Sequence, residues 1–203
     1  MKPKIFMPFY SMYGHTFSLM EAAAQGVIEA GGEPVLKRVA ELVPAEFWND
    51  KMKVFQEKIN SIPVADPRED FKDINGIIMG TPTRFGNMCA QMRNFWDQTG
   101  GDWMKGTLIN KPAAIITSTA TQHGGQETTI ISSMITLLHH GCVIVGLPYS
   151  VKEQMKMDEI IGGSPYGVST IAGLDGERMP SETELSMARE LGKRATEIAK
   201  KLR

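Results

Sequence analysis

The segment KIFMPFYSMYGHT, which runs from Lys4 to Thr16, determines the fold of this chain. It begins with an apolar strand, predicted at Lys4–Tyr10, and leads through a glycine-containing turn into an amphipathic helix predicted at Thr16–Ala30. The first N–H groups of a helix have no intrahelical partner, and the helix dipole favours negative charge there. The order of strand, tight turn and helix therefore predicts an anion-binding loop at residues 11–16.

The composition of this loop limits which anion it would bind. Ser11 and Thr16 provide hydroxyl donors at its two ends, and Gly14 allows close approach of the backbone. No Lys or Arg lies between Lys4 and Lys37, so a phosphate here would be held by neutral donors alone. The chain also lacks a Gly-Lys-Ser/Thr phosphate loop and a G-x-G-x-x-G dinucleotide motif. These features favour the phosphate of flavin mononucleotide (FMN) over a nucleoside triphosphate, while an ordinary turn with a serine cap would also fit the loop taken alone.

The rest of the sequence alternates strand patterns with helix patterns. The third, fourth and fifth strand patterns are short and apolar throughout, which is typical of strands buried on both faces of a parallel sheet. Five strands with intervening helices predict a doubly wound α/β fold, with helices on both faces of the sheet and the ligand at the carboxyl ends of the strands. Pro8 conflicts with a central first strand, because proline cannot donate a ladder hydrogen bond. The further strands are predicted at Pro34–Val39, Gly76–Gly80, Pro112–Ser118 and Cys142–Val145, and the further helices at Asn87–Thr99, Thr128–His140 and Glu182–Lys201, the last with a Ser181-x-x-Glu184 capping box.

Length and composition predict one enlarged domain over residues 1–203. The 22 basic and 23 acidic residues nearly cancel, which gives no electrostatic basis for binding nucleic acid or an anionic membrane. Two well-separated cysteines and the lack of a long apolar run predict a reduced, cytoplasmic protein without a membrane segment. Two segments, about 41–72 and 147–181, exceed what five βα units need. The first is predicted to form a helix with irregular flanks, and the second is a loop rich in Gly, Pro and Ser, of a length that is usually functional or used in assembly.

The loop after the predicted third strand, GTPTRFGN at residues 80–87, is suited to a flat redox-active ring. Such a ring needs close backbone approach, N–H donors at its edge and an apolar wall. Arg84 would stabilise the anionic reduced form of a flavin, whereas a turn with Arg84 in solvent is the alternative interpretation. The predicted ring contacts are Pro82, Thr83, Arg84, Phe85 and Gly86.

The loop after the predicted fourth strand, STATQHGGQE at residues 118–127, offers hydroxyls, an amide and two glycines. These groups suit contacts with a ribityl chain and the edge of a ring. His123 would equally fit a solvated loop position. The predicted contacts are Ser118, Thr119, Ala120, Thr121, Gln122 and His123.

An aromatic residue and a histidine pair lie beyond these loops. Trp103 follows two glycines in a predicted loop at the same sheet edge, where an aromatic ring can stack over a flavin or its substrate. His139 and His140 end a predicted helix before Gly141, a typical C-cap. Neighbouring helical residues point about 100° apart, so the pair cannot chelate one metal ion, and no metal site is predicted. One of the two histidines would face the cleft, or both would only cap the helix.

Together these motifs resemble those of the WrbA-type NAD(P)H:quinone oxidoreductases, in the flavodoxin-like superfamily. The resemblance covers nearly the full chain, and its several blocks occur in the same order. The blocks are SMYGH (11–15), GTPTRFGNM (80–88), DQTGG (97–101), GGQET (124–128), HHG (139–141) and SPYG (164–167).

The resemblance implies roles for particular residues. It implies that His139 reaches the flavin of a neighbouring subunit, that Tyr13 meets the nicotinamide nucleotide and that Trp103 meets the quinone. It also implies a homotetramer whose active sites draw on more than one subunit, with the two extra segments serving that assembly. Ala120 stands where many members have glycine, and its methyl group would alter the loop if that position needs a positive φ. The residues implied to hold the FMN phosphate are Ser11, Met12, Tyr13, Gly14, His15 and Thr16, and those implied to hold the ring and ribityl chain are Thr83, Arg84, Phe85 and residues 118–123.

The function favoured at this point is FMN-dependent reduction of a quinone to a quinol with NADH or NADPH, by a two-step hydride relay in which Arg84, Trp103 and His139 act on the reactants. A one-electron carrier of the flavodoxin kind is a second hypothesis. Such carriers are usually strongly acidic, and a formal charge of −1 argues against it. A regulatory or assembly protein that has kept the fold and lost turnover is a third, supported only by Ala120 and Pro8. The choice between NADH and NADPH stays open.

Overall fold

The computed structural model describes residues 2–202 and has a parallel sheet at its centre with helices on both faces. The sheet order is second, first, third, fifth and sixth strand, with the seventh beside the fifth and the fourth beside the third. This arrangement confirms the predicted doubly wound, flavodoxin-like α/β fold. The strands are β1 (Lys4–Phe9), β2 (Glu33–Arg38), β3 (Gly76–Arg84), β4 (Asn87–Met88), β5 (Pro112–Thr119), β6 (Val143–Ile144) and β7 (Val168–Ile171). The helices are α1 (His15–Glu29), α2 (Asp50–Lys58), α3 (Ala90–Asp97), α4 (Gly100–Lys105), α5 (Gln126–His139) and α6 (Glu182–Lys201), with 3-10 turns at Ala45–Phe47 and Lys152–Met155.

Two apolar cores, one on each face of the sheet, hold the helices in place. Alternate residues of β1 point to opposite faces, so Ile5 joins one core and Phe6 the other. The first core contains Leu19 of α1 and Leu191 of α6. The second contains side chains of α3 and α5, among them Phe95. The sheet is thereby covered on both sides, and its loops at the carboxyl edge are left for a ligand.

Pro8 fits the central strand because the hydrogen-bonded ladder between β1 and β3 is open at this position. The β1–β2 ladder is continuous through Pro8, which pairs with Lys37. The β1–β3 ladder pairs Phe6 and then Phe9, and it skips the two residues between them. Because the ladder toward β3 is open here, the N–H group that proline lacks is not needed for a hydrogen bond. The conflict seen in the sequence is thus resolved by a local gap in the pairing.

The predicted fifth strand at Cys142–Val145 is wrong in its extent, because that strand position is shared by two separate segments. β6 has only two residues and pairs with the start of β5, at Pro112 and Ala113. The chain then leaves the sheet and returns as β7, which pairs with the second half of β5. Gly146 marks the exit, where a Cβ would lie 2.1 Å from the Pro165 carbonyl oxygen. β7 lies within the predicted extra segment and brings the chain to the carboxyl edge of the sheet.

The helix predicted at Asn87–Thr99 also begins too early. Its first two residues form β4, which pairs antiparallel with the end of β3. The connecting residues Phe85 and Gly86 have φ values of 54° and 77°, the positive pair of a two-residue type I′ hairpin. Trp103, predicted in a loop, lies instead on the short helix α4.

The last helix begins where the sequence indicates. Ser181 and Glu184 form the predicted capping box at the start of α6. Glu184 is fully buried, and its carboxylate accepts hydrogen bonds from the Gly162 backbone N–H at 2.8 Å and from Arg178 Nη1 at 2.9 Å. Although α6 is 20 residues long, no helix within residues 2–202 combines the length and apolarity needed to cross a bilayer.

Close backbone contact between α1 and α6 gives a test of this packing. A Cβ on Gly192 would lie 2.1 Å from the Ala23 carbonyl oxygen, so we expect Gly192→Ala to lower the free energy of unfolding by roughly 2–3 kcal/mol. Gly101→Ala is the matched control, because a Cβ there meets nothing within 4 Å and alanine favours a helix by up to about 1 kcal/mol. Urea titrations of both variants measure the difference. Equal stabilities of the two would contradict the proposed contact.

Candidate active site

A cleft of about 860 Å³ opens at the carboxyl edge of the sheet. Its volume lies within the range of small-molecule and cofactor sites. The loop after β1 and the carboxyl ends of β3 and β5 line it, at the sheet edge predicted from the parallel order of the strands. Pro82, Thr83 and Arg84, predicted in a loop, lie on β3, which extends past the predicted end at Gly80. Two further segments, the start of α2 and the loop after β7, complete its wall. The lining residues are Ser11, Met12, Tyr13, His15, Thr16, Asn49, Asp50, Lys51, Pro82, Thr83, Arg84, Ser118, Thr119, Ala120 and residues 172–176.

The loop after β1 has the backbone geometry that an anion site needs. Gly14 is left-handed at φ 106°, and its N–H donates to Ser11 Oγ at 3.1 Å, which closes the turn. The Ser18 N–H donates to the Gly14 carbonyl at 2.9 Å and so makes the first bond of α1. The N–H groups of residues 15–17 precede that bond and point out of the helix start. Thr16 Oγ1 lies 2.9 Å from Ser118 Oγ, which joins this loop to the end of β5.

His15 is a buried member of the same loop. Its Nε2 lies 3.2 Å from the Gly176 carbonyl oxygen, so the imidazole connects α1 to the loop after β7. Burial lowers the pKa of His15 below its ordinary value, and the positive charge of Lys51 acts in the same direction. The Gly176 carbonyl and the Glu177 carboxylate oppose that shift without cancelling it. Burial therefore favours the neutral form of the ring.

The β3–β4 hairpin forms another wall of the cleft. Thr83 Oγ1 accepts hydrogen bonds from Thr129 Oγ1 at 2.7 Å and from the Gly86 N–H at 3.2 Å, which fix the base of the hairpin. Arg84 is exposed, donates from Nη1 to the Thr83 carbonyl at 2.8 Å and reaches the Met12 sulfur at 3.8 Å. The guanidinium thus lies over the edge of the cleft, where it can contact the edge of a bound ring.

Helix α2 packs directly on the anion loop, a relation that the sequence did not reveal. Asn49 caps α2, and its Nδ2 donates to the Tyr13 hydroxyl at 3.1 Å. Gln56 Nε2 donates to the Ser11 carbonyl at 3.3 Å. Phe55 lies beside Gly14, where a Cβ would be 3.3 Å from its ring. This part of segment 41–72 therefore builds the cleft, although the whole segment was assigned to assembly.

The loop after β7 forms the wall opposite the hairpin. The Ala172 N–H donates to the Thr119 carbonyl at 2.7 Å, and the Arg178 N–H donates to the Ala172 carbonyl at 2.8 Å, so residues 173–177 form a closed turn. Arg178 is in turn paired with the buried Glu184 at 2.9 Å. An ion pair with one member fully buried fixes the base of this loop on α6.

Lys51 is a cation of the cleft that the sequence did not indicate. We expected a phosphate on the anion loop to meet only neutral donors, because no cation lies near that loop along the chain. The fold brings Lys51, at the start of α2, into the same cleft. Sequence distance hid this neighbour, since nothing in the spacing of residues 41–72 fixes where the helix packs.

Several predicted site residues do not line this cleft. Phe85 is fully exposed at the tip of the hairpin, and Trp103 and His139 are exposed on α4 and α5. Gln122 and His123 line a separate cavity of about 440 Å³ at the start of α5. Roles for these residues stay predictions, as do those for Gly86 and Thr121, which line neither cavity.

Ala120 lines the cleft without the strain that its methyl group was expected to cause. Within residues 2–202, positive φ angles outside glycine occur only at Asp73, Phe85 and Asn110. Ala120 therefore has an ordinary backbone conformation, and this loop does not require glycine there.

The fold and the cleft together define a flavodoxin-like α/β protein with an anion loop at the carboxyl edge of its sheet. A solved structure described as a flavodoxin, WrbA-like protein from Agrobacterium tumefaciens has a TM-score of 0.66 at 20% identity, and each chain is covered completely. A flavodoxin from the domain Archaea has a TM-score of 0.60 at 16% identity, with 98% of each chain covered. At these identities the likeness establishes the fold.

Sequence comparison defines the family. A model described as NADPH-dependent FMN reductase matches residues 11–155, and the chain belongs to this family of oxidoreductases. A relative from Aromatoleum aromaticum, named NAD(P)H dehydrogenase (quinone), is 58% identical over 98% of this chain and 97% of its own length. A relative of the same name from Geotalea uraniireducens is 55% identical, with 98% of each chain covered.

The lowered pKa of His15 leads to a pH prediction. Between that pKa and about 6.5, the folded protein binds fewer protons at His15 than the unfolded chain does, so the free energy of unfolding rises with pH across this window. The stabilisation is complete above pH 6.5 and is lost as the pH falls through the folded pKa. The imidazole proton shift in NMR gives the pKa, and urea titrations of wild type and His15→Asn give the slope. A His15 pKa at or above 6.5 would contradict the expectation.

Proposed function

We propose that this protein is an FMN-dependent oxidoreductase that reduces quinones to quinols with NADH or NADPH. The overall reaction is NAD(P)H + H⁺ + quinone → NAD(P)⁺ + quinol, a two-electron change. The observation that carries the proposal is the single cleft in which the anion loop and Arg84 both lie. The family and the names of the close relatives agree with it.

The residues of the cleft fit FMN. The phosphate would be held by the hydroxyl of Ser11 and the N–H groups at the start of α1, as at other helix N-termini. The ribityl chain would meet the hydroxyls of Ser118 and Thr119. The ring would lie against the hairpin, with Thr83 and Arg84 at its edge. A cleft with hydroxyl and N–H donors and a cation by one wall matches the polarity of this cofactor.

When bound, FMN would supply hydride chemistry between the nicotinamide and the quinone, and the single proton that the quinol also requires would come from solvent. The protein would supply position and charge. Arg84 would stabilise the negative charge of the reduced ring, and Tyr13, held by Asn49, would border the nucleotide. Because the cleft is a single chamber, nucleotide and quinone would occupy it in turn, which is a ping-pong order.

We further propose that the active site is completed by a second copy within a homotetramer. Trp103 and His139, both implied in the reaction, lie outside the cleft on exposed helix faces. Trp103 is 56% exposed and Leu138, beside His139, is 57% exposed. Helices α4 and α5 meet where Thr99 Oγ1 lies 3.0 Å from His140 Nε2, so the exposed side chains belong to neighbouring elements. Apolar groups left exposed in this way are typical of contact surfaces.

Steady-state kinetics of FMN-loaded protein test the proposal. We expect NADH or NADPH to be oxidised with benzoquinone as acceptor and the double-reciprocal lines to be parallel, as a ping-pong order requires. A reductive titration should pass in one two-electron step. Absence of turnover with both nucleotides, or separate one-electron steps, would favour the carrier hypothesis.

Arg84→Met tests the role of the cation at the ring. We expect FMN to bind nearly as well, the midpoint potential of bound FMN to become more negative and turnover to fall by about 10- to 100-fold, because the reduced ring loses a stabilising charge. Arg93→Met on α3 is the control, since Arg93 faces Asp97 on the surface, with 3.8 Å between the nearest N and O atoms. An unchanged potential in Arg84→Met would show that Arg84 does not contact the ring.

A further inference from the structure

The anion loop contains no side chain with a permanent positive charge. A phosphate monoester carries about −1.5 to −2 charges at pH 7. The loop itself provides hydroxyl and backbone N–H donors, which are neutral, and burial lowers the pKa of its histidine, His15, which favours the neutral imidazole. Of the described residues that line the cleft, Lys51 and Arg84 carry permanent positive charge. Arg84 lies on the hairpin assigned to the ring, which leaves Lys51 for the phosphate end.

The surroundings of Lys51 place its ammonium group at this end. Its Nζ donates to the Asp175 carbonyl oxygen at 2.9 Å, one residue before the carbonyl that contacts His15. An ammonium group has three donors, so the bond to Asp175 leaves two for another acceptor.

The acidic groups nearby do not neutralise Lys51 through an ion pair. Asp50 faces Lys53, with 3.6 Å between the carboxylate oxygen and Nζ. The Glu177 carboxylate accepts from the Asp175 N–H at 3.0 Å and is occupied within its own loop. Asp50 and Asp175 both line the cleft, but within residues 2–202 Lys51 forms no ion pair, and its bond to Asp175 is made to the backbone carbonyl. Its positive charge can therefore act on a ligand.

Helix α2 fixes the position of this cation. The helix is anchored to the anion loop by the contacts of Asn49, Phe55 and Gln56 described above. A charge presented from an anchored helix loses less conformational entropy on binding than one on a free loop.

We propose that Lys51 recognises the phosphate of FMN: its ammonium group, kept in position by the bond to the Asp175 carbonyl, contacts the phosphate across the cleft from the anion loop. This role rests on the proposed function, since it assumes FMN in the cleft. Lys51, in segment 41–72, would then favour FMN over riboflavin, because riboflavin lacks the phosphate.

Fluorescence titrations of the cofactor-free protein with FMN and with riboflavin test the role. We expect Lys51→Gln to weaken FMN about tenfold and to leave riboflavin unchanged, because only FMN carries the phosphate. Lys51→Arg should restore most of the FMN affinity. The tenfold difference should shrink at high ionic strength, as expected for a contact between partly exposed charges.

Lys53→Gln is the matched control, since it removes the same charge two residues along α2 and should change neither affinity by more than about twofold. An equal loss of FMN and riboflavin affinity in Lys51→Gln would mean that Lys51 only holds the loop, and an unchanged FMN affinity would mean that it does not reach the phosphate. Either result overturns the proposal and leaves the proposed function intact. Wild-type protein that binds no FMN would instead overturn the proposed function.

Discussion

The parallel register of β1, β3 and β5 is the constraint on which the rest of the molecule depends. Parallel strands bring the loops that follow them to one edge of the sheet, and crossover helices must then cover both faces. The unpaired N–H groups at the start of α1, the hydroxyls at the end of β5 and the guanidinium of Arg84 meet for this reason. The hydrogen bond between Thr16 and Ser118, which are 102 residues apart in the chain, forms because both residues lie at this edge of the sheet.

The sequence predicted those parts of the structure that depend on local pattern. Apolar runs located the strands, and the box at Ser181 and Glu184 located the start of α6, because both signals act over a few residues. The hairpin at Phe85 was missed, since a phenylalanine at positive φ is uncommon and offers no turn signal. The split of the fifth strand was missed as well, because β7 is only four residues long and lies in a stretch rich in glycine and proline.

The residues of the candidate site likewise fall into two groups, those that the sequence indicated and those that it did not. Each of the residues that were identified lies at the carboxyl end of a strand or in the turn that leads from β1 into α1, where the fold class alone fixes its place. These residues are Ser11, Thr16, Thr83, Arg84 and Ser118. Lys51 and the loop at residues 172–176 were not, since their positions depend on how two insertions pack and no local rule specifies that. Packing contacts such as that of Phe55 with Gly14 determine where the insertions lie, and these contacts form only in the folded chain.

The division of one strand position between β6 and β7 has a consequence for local stability. β7 is joined to the sheet along one side only, by four residues paired with β5. A short strand with a single paired neighbour opens at a lower free energy than the centre of the sheet and exchanges its amide protons sooner. The loop at residues 172–176 follows β7 directly, so detachment of this strand would dismantle one wall of the cleft while the other walls stay in place. A ligand that contacts this wall would stabilise the strand by mass action, and protection of the β7 amides would report its binding.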